Sequence, residues 1–512
     1  MSVDQLVAGR RGLRLAFVCL GLFMVYLDTT IVNVALPQMQ RDLDVGVSGL
    51  QWVFDSYVLT FACFLLTSGR LGDVLGRHRV FLAGLVGFTV SSAACALSEN
   101  ITALLVSRFV QGAFGSVMIT TSLALVHSMY QSPKERARAV SIWAGVGGLA
   151  LAAGPVLGGV LVEHNNWPSI FWLNIPIGVV SVLALLMLRA EPESTERQHL
   201  DLLGQALFAA AVAALTYGMI EASTAGWTAG YVLASFAGAV VAALLFVWRE
   251  ATCEQPMLPL TFFRNRVVVF SCAINFLVFY GLFGAMFLLT LYLQSVNGLS
   301  AVDTGIRFLA LSLTIAVGSL IAPRLAHLAG DAYPWVSAFG GLLAGLGLIG
   351  LLRLEVGSGF DTYWWSLVLL GLGISFAMAP ATIAVLASVE PERVGVAAGV
   401  SQTFRQVGGV LGVAMSGTLA LRHVKDGVPD ALAGLPLPPA ALEKLAEAIG
   451  SGRFAAADHL PEQLRAAVTN NVAPLLVDGM AVSYTLGAAV ALAGVLTPIV
   501  LIGRNKKTGL RK

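Results

Sequence analysis

Charge is what this sequence lacks most. Only 12% of its 512 residues are Asp, Glu, Lys or Arg, about half the roughly 25% of an ordinary soluble domain. That excludes a large soluble enzyme and leaves no sizeable output domain for a sensor or receptor. Cysteine is also scarce. Cys19, Cys63, Cys95, Cys253 and Cys272 show no CxxC or other metal spacing, and four of them lie in apolar runs, so no disulfide framework is expected. The seven histidines are scattered without metal-ligand spacing, which argues against a polytopic membrane enzyme, and no metal is expected. No glycine-rich loop ends in Lys-Ser/Thr, so direct ATP hydrolysis is not expected, and no basic–aromatic surface suits nucleic acid. No cofactor is implied.

What the chain has instead is apolar length. It is 57% hydrophobic, with a mean hydropathy of +0.80. A bilayer crossing takes about 20 mostly apolar residues. Fourteen segments qualify: 15–36, 49–69, 79–98, 102–124, 138–162, 169–189, 201–222, 230–248, 267–293, 304–326, 334–354, 363–386, 395–420 and 476–503. The first is too long for a signal-peptide core, and no small-residue cleavage site follows it. With the N-terminus cytoplasmic, 21 of the 31 Lys and Arg fall in cytoplasmic segments, the positive-inside pattern. Both termini, 1–14 and 504–512, are therefore expected in the cytoplasm, and the protein in the cytoplasmic membrane. The one long outer loop, 421–475, contains PPAALEKLAEAIG and PEQLRAAV. It reads as two amphipathic helices forming a flap over the outer mouth.

Two echoes suggest an internal repeat. PKERARAV at 133–140 opens the fifth span and PERVGVAAG at 391–399 the thirteenth, with an offset of 257 between their Glu-Arg pairs. GRLGDVLG at 69–76 is echoed by PRLAHLAG at 323–330, with an offset of 254. Parallel repeats are a transporter feature, with the binding site between the halves. The division expected is a six-helix half at 15–189, an inserted pair with its linkers at 190–266, and a second six-helix half at 267–503.

Several motifs carry chemistry. In SGRLGDVLGRHRV at 68–80, Gly69, Gly72 and Gly76 permit close approach and tight turning. Asp73 sits beside Arg77 and Arg79, a charge cluster able to hold one conformation and release it in another. RFVQGAFG at 108–115 puts Arg108 inside a span, with Gly112 and Gly115 on its face. Arg108 either snorkels to the outer interface or, as favoured here, turns inward to stabilise a carboxylate. In GVGGLALAAGPVLGG at 145–159, Gly154-Pro155 breaks a backbone bond, while Gly158 and Gly159 provide a packing surface. These segments, together with LDTTIVNVALP, NNWPSIFWLNIPIG and FRQVGGVLGVA, resemble the major facilitator superfamily, specifically its fourteen-span drug:proton antiporter branch. The resemblance covers nearly the whole chain. It departs from the family at Val74, Phe114 and Pro168. It implies an all-α polytopic membrane protein with two six-helix halves plus two inserted central helices.

The acids then matter most. Asp28 lies about 14 residues beyond Arg14, roughly 21 Å along the helix and near mid-membrane. Asp55 lies about 9 Å inside span two, and Glu221 at the outer end of span seven. A carboxylate in hydrocarbon costs roughly 2.5–3.5 kcal/mol even on the lenient insertion scale, so each needs a reason. Burial disfavours its charge and a nearby guanidinium restores it. Movement of Arg108 relative to Asp28 or Asp55 would thus toggle proton affinity. Asp28, Asp55 and Arg108 are the expected proton-coupling residues, and Asp28, Asp55 and Glu221 the expected substrate contacts. Arg405, mid-span in the thirteenth segment, is divided between a structural and a conformational role. The function implied is proton-coupled export of hydrophobic or amphipathic, cationic drugs or antibiotics by a monomer using alternating access. Export of one dedicated metabolite is the alternative.

Overall fold

A computed structural model of the chain describes residues 3–130, 132–188, 201–253, 256–330, 332–389 and 394–501. Residues 189–200, which include the expected inner linker at 190–200, and 502–512, which include the expected tail at 504–512, lie outside the described residues. Sixteen α-helices follow in order: α1 Val3–Asp42, α2 Val47–Leu75, α3 Arg77–Ala96, α4 Ile101–Met129, α5 Pro133–His164, α6 Ser169–Trp172, α7 Asn174–Met187, α8 Leu202–Ala225, α9 Gly230–Thr252, α10 Arg266–Leu291, α11 Ala301–Leu328, α12 Tyr333–Gly350, α13 Phe360–Ala387, α14 Val394–Leu432, α15 Pro439–Gly450 and α16 Glu462–Leu501. Thirteen stretches among the described residues are long and apolar enough to cross a membrane. The fourteenth expected span is α2, a helix of 29 residues. The short α6 and α7 together make the sixth span.

Two boundaries differ from the sequence reading. Helix α14 runs on to Leu432, and α16 starts at Glu462, so the segment between them is only 433–461. Of residues 461–468, read as a separate surface helix, 462–468 instead form the outer turns of α16, because helical residues continue without a break into the apolar run. Helix α15 does form, and it buries Leu445 and Ile449.

The first half packs α1 on α5, α2 on α4, and α3 on α4 and α7; the second packs α10 on α14, α11 and α12 on α13, and α16 on α10, α12 and α14. The halves meet through α5 with α11 and α2 with α14. These two contacts exchange under the sequence repeat, which relates α2 to α11 and α5 to α14. Gly305 packs on the Pro155 backbone, and in the mirror contact Gln51 Nε2 donates to the Val413 and Ala414 carbonyls at 3.1 and 2.7 Å. Subtracting 254 from Gly305 gives 51, and adding 257 to Pro155 gives 412.

Glycine makes these approaches possible. A Cβ on Gly159 would stand 2.5 Å from the Ala301 carbonyl oxygen, and one on Gly158 would stand 2.8 Å from the Ile31 side chain. Gly154 lies against Thr30. Pro155 cannot donate to the Leu151 carbonyl, and the Thr30 hydroxyl reaches that oxygen at 3.4 Å instead.

Among the described residues, the hydrogen bonds that join the halves directly lie at the end of the bundle away from Val3 and Leu501. Besides Gln51, they are Gln294 Nε2 to the Val34 carbonyl at 3.0 Å and the Val302 N–H to Glu163 Oε2 at 3.1 Å. The 433–461 segment folds over the same end. Gln40 Nε2 donates to the Gly452 carbonyl at 2.5 Å, and the Val47 N–H to the Ser451 carbonyl at 3.2 Å. Gly452 turns there with φ 83°. Toward the opposite end, Gly145 and Gly148 of α5 have nothing within 4 Å of a Cβ.

The inserted pair is tied to both halves. Gln205 of α8 donates to the Cys63 carbonyl of α2 at 2.8 Å, while Phe246, Leu258 and Phe262 pack with Val268, Cys272 and Val400 of the second half. Asp201 caps α8 through the Gly204 N–H at 3.0 Å and pairs with Arg249 at 3.2 Å. Burial opposes its charge, but these two partners outweigh burial and hold the carboxyl below its usual range.

Overpacking a close helix contact costs about 1–3 kcal/mol. Gly159→Leu is therefore expected to lower the melting temperature of the detergent-purified protein by several degrees, whereas Gly145→Leu leaves it unchanged. Equal effects of the two would contradict the packing described.

Candidate functional site

Asp28 is fully buried on α1, where a lone carboxylate would be costly. Its partner is Arg108 of α4, whose Nη1 lies 2.5 Å from Asp28 Oδ2. Glycine delivers Arg108 there. A Cβ on Gly112 would collide with the Tyr57 backbone, and one on Gly115 would stand 3.1 Å from the Tyr57 hydroxyl, so α4 lies directly on α2. Arg108 Nε then donates to the Val53 carbonyl at 3.3 Å. Phe114, bulky for its position, is accommodated over the bare backbone of Gly87 on α3. Arg108 is thus turned inward and does not snorkel.

Neutral groups supply further hydrogen bonds to the pair. Asp28 Oδ1 accepts from Gln111 Nε2 at 3.0 Å and from Asn174 Nδ2 at 3.3 Å. Gln111 Oε1 accepts from Arg108 Nη1 at 2.7 Å, and its Nε2 lies 2.7 Å from Ser92 Oγ. Asn174 Nδ2 lies 3.2 Å from the same oxygen. The guanidinium is flanked by the Tyr57 and Phe171 rings at 4.2 and 5.6 Å. Side chains from α1, α2, α3, α4, α6 and α7 therefore converge on one charge pair. Gln111, Ser92, Asn174, Tyr57 and Phe171 were not singled out from the sequence. The visible signal was polarity inside apolar spans, since Gln111 and Asn174 sit in the same quoted motifs as Arg108 and Pro168.

Asp55 is different. It too is fully buried, but neither carboxylate oxygen has a hydrogen-bond partner. It lies one turn beyond Gln51, on the side of α2 turned to α14. The structure therefore joins Asp28 to Arg108 and leaves Asp55 apart from both.

Glu221 is brought to neither. It is half-buried in the inserted pair and accepts from the Tyr231 hydroxyl at 3.4 Å.

In the 68–80 loop, Gly76 ends α2 with φ 92°, a turn that favours glycine. Gly72 approaches Thr121 of α4, whereas Gly69 has open space around it. Arg77 is half-buried and Arg79 exposed. The Asp73 side chain lies outside the described residues.

Arg405 of α14 rests its guanidinium 5.1 Å from the Phe279 ring and places Nη1 2.8 Å from Met378 Sδ. Its Nε is buried without a partner.

An apolar cleft of about 680 Å³ opens elsewhere, between the inserted pair and the second half, with Phe208, Phe246, Phe263 and Phe404 among its walls. It contains none of the acids.

The family model described as Major Facilitator Superfamily matches residues 18–413. The chain belongs to the Major Facilitator Superfamily. It is a multi-pass membrane protein of a transporter family. Its relatives include the tetracenomycin C resistance and export protein of Streptomyces glaucescens, 35% identical over 94% of this chain and 90% of that protein. Another is the multidrug resistance protein Stp of Mycobacterium tuberculosis, 37% identical over 80% of this chain and 78% of that protein. A third is the methylenomycin A resistance protein of Bacillus subtilis, 33% identical over 79% of this chain and 86% of that protein. Among solved structures, a bacterial homologue of the human lysosomal transporter Spinster, inward-facing and unoccupied, superposes with a TM-score of 0.62 at 16% identity. The match covers 95% of this chain and 97% of that one.

Removing one member of a buried ion pair strands the other at a cost of about 3–5 kcal/mol. Asp28→Asn and Arg108→Gln are each expected to lower thermal stability by that order, and the double variant by clearly less than their sum. Additive losses in a thermal double-mutant cycle would show that the two charges do not depend on each other.

Proposed function

We propose that the protein is a proton-coupled antiporter of the cytoplasmic membrane that exports hydrophobic or amphipathic drugs and antibiotics by alternating access. The observation that carries the proton coupling is the contrast between the two fully buried acids of the first half, Asp28 and Asp55. Asp28 has its charge balanced by Arg108 and its oxygens filled. Asp55 has neither, so it is the acid free to exchange a proton. An ionised Asp55 would be a buried charge without a partner, whereas a neutral one would not. On this reading Asp55 carries the exchanged proton, and the Asp28–Arg108 pair holds the first half rigid around it. Glu221 stays outside the coupling site.

Three features support the transport cycle. Relatives whose names denote resistance and export extend over nearly the whole chain. Among the described residues, the hydrogen bonds that join the halves lie at one end, away from the described termini, and α5 has open space beside Gly145 and Gly148 toward the other. The joining contacts are glycine-lined and pseudo-symmetric, as rocking halves require. With both termini cytoplasmic, as the Lys and Arg distribution favours, this conformation faces inward. Both halves belong to one chain, so a monomer suffices.

One proton entering down about 100 mV releases about 2.3 kcal/mol, and each pH unit adds about 1.4 kcal/mol. Together these sustain roughly a 500-fold gradient of a neutral cargo. Asp55→Asn removes no hydrogen bond. It is expected to keep wild-type thermal stability within about 1 kcal/mol while abolishing pH-driven drug transport in proteoliposomes. Wild-type protein that moves drug regardless of imposed pH and voltage, or an Asp55→Asn variant that still responds to pH, would defeat the assignment.

A further inference from the structure

The second half holds a cation that the coupling scheme does not use. Arg405 is half-buried mid-helix in α14, and among the described residues no carboxylate lies within ion-pair distance of it. It contacts the Met378 sulfur and the Phe279 ring. Gln402, one turn away on the same helix, also has a buried amide nitrogen without a partner. Two unspent donors thus point from one face of α14.

That face looks toward the first half. On α10, Ile274, Leu277 and Ala285 meet α16. Phe279 and Phe283 lie on the opposite side of the helix, and Phe283 touches Phe54 of α2 at 5.2 Å. Phe279 is one turn from Phe283, with ring centroids 5.8 Å apart. Arg405 covers Phe279. Along the bundle, Gln51 fixes the register of α2 against Val413 of α14. Asp55 then stands about 6 Å and Arg405 about 12 Å from that level, at 1.5 Å per residue. Acid and guanidinium are therefore roughly 6 Å apart in depth, on facing elements of the two halves.

We propose that Arg405, with Gln402, is a cargo-binding subsite that selects neutral, ring-bearing molecules carrying a carbonyl oxygen. It rests on the export reading above and departs from the cationic cargo expected from the sequence. A guanidinium and an amide N–H are donors only, so the group they bind must be an acceptor. Phe279 and Met378 supply an apolar wall beside it. A cationic cargo would meet an uncompensated positive charge. A carboxylate would be held, but its negative charge would strengthen proton binding at Asp55, and by linkage the proton would favour the cargo in return. That coupling works against exchange. A neutral carbonyl takes the hydrogen bonds without adding charge.

The test is calorimetric binding of four naphthalenes to the purified full-length protein: 2-acetylnaphthalene, 2-ethylnaphthalene, 2-naphthoate and 2-naphthylmethylammonium. Wild type should bind the ketone about 10-fold or more tighter than the ethyl analogue, as a hydrogen bond to a charged donor allows, and the ammonium more weakly than either. Arg405→Met should bring the ketone-to-ethyl ratio to about 1, leave the ethyl affinity unchanged and improve ammonium binding. Arg405→Lys should retain part of the ketone preference. A ratio unchanged by Arg405→Met, an equal loss for all four probes, or wild type binding none of them would overturn the proposal. Loss of pH-driven drug efflux by wild type, with the ketone ratio intact, would instead overturn the export reading alone.

Discussion

The first half is organised around the burial of Asp28 against Arg108. Two opposite charges in a low-dielectric interior are tolerable only when they meet each other and their remaining lone pairs and protons are also met. That requirement draws Gln111, Asn174, Ser92 and the Val53 carbonyl to the same point and stacks Tyr57 and Phe171 on the guanidinium. Six helical elements are thereby fixed relative to one another by a network in which no member is easily exchanged. Such a network specifies a rigid body. It leaves little freedom for chemistry within itself, and two charged side chains that it does not include, Asp55 on α2 and Arg405 on α14, hold buried polar atoms without a partner.

Rigid halves need a joint that parts without leaving voids. Interdigitated side chains would leave cavities on separation, with the penalties such cavities carry. Apart from side-chain contacts such as Phe54 on Phe283, many of the contacts seen here are of another kind. Gly159 and Gly305 place backbone on backbone, and Gln51 offers its amide to two carbonyls. A hydrogen bond at such a surface exchanges for one with water at small net cost. The 433–461 segment adds bonds of the same type from Gly452 and Ser451 to Gln40 and Val47. It closes the far end with these polar contacts and with Leu445 and Ile449 buried.

Much of the architecture was legible because the bilayer imposes it. Length and hydropathy fix a crossing whatever its neighbours are, and all fourteen spans are helices. Asp28 and Arg108 stood out because charge is rare in such runs. Their pairing was less visible, since it depends on how α1 and α4 are brought together, and Asp55 was an equal candidate for Arg108. Gln111, Ser92 and Asn174 passed unmarked because neutral polar residues are cheap enough in a span to attract no attention individually. Their importance is collective. The end of α14 and the start of α16 were misplaced for a related reason: outside the hydrocarbon, amphipathic residues continue a helix as readily as they form a separate one.

The charges of the two halves bear on energetics as well as recognition. On the proposed cycle, a neutral cargo leaving for one proton entering moves one charge inward, so voltage and pH both drive export. A monovalent cation leaving in the same exchange moves none, and the voltage contribution of about 2.3 kcal/mol per 100 mV disappears. An unpaired Arg405 in the second half would therefore disfavour cations at binding, the cargo that the exchange drives least. Recognition and driving force then point to the same chemical class. That agreement follows from where two side chains sit relative to a third, Asp28, whose charge is already spent on Arg108.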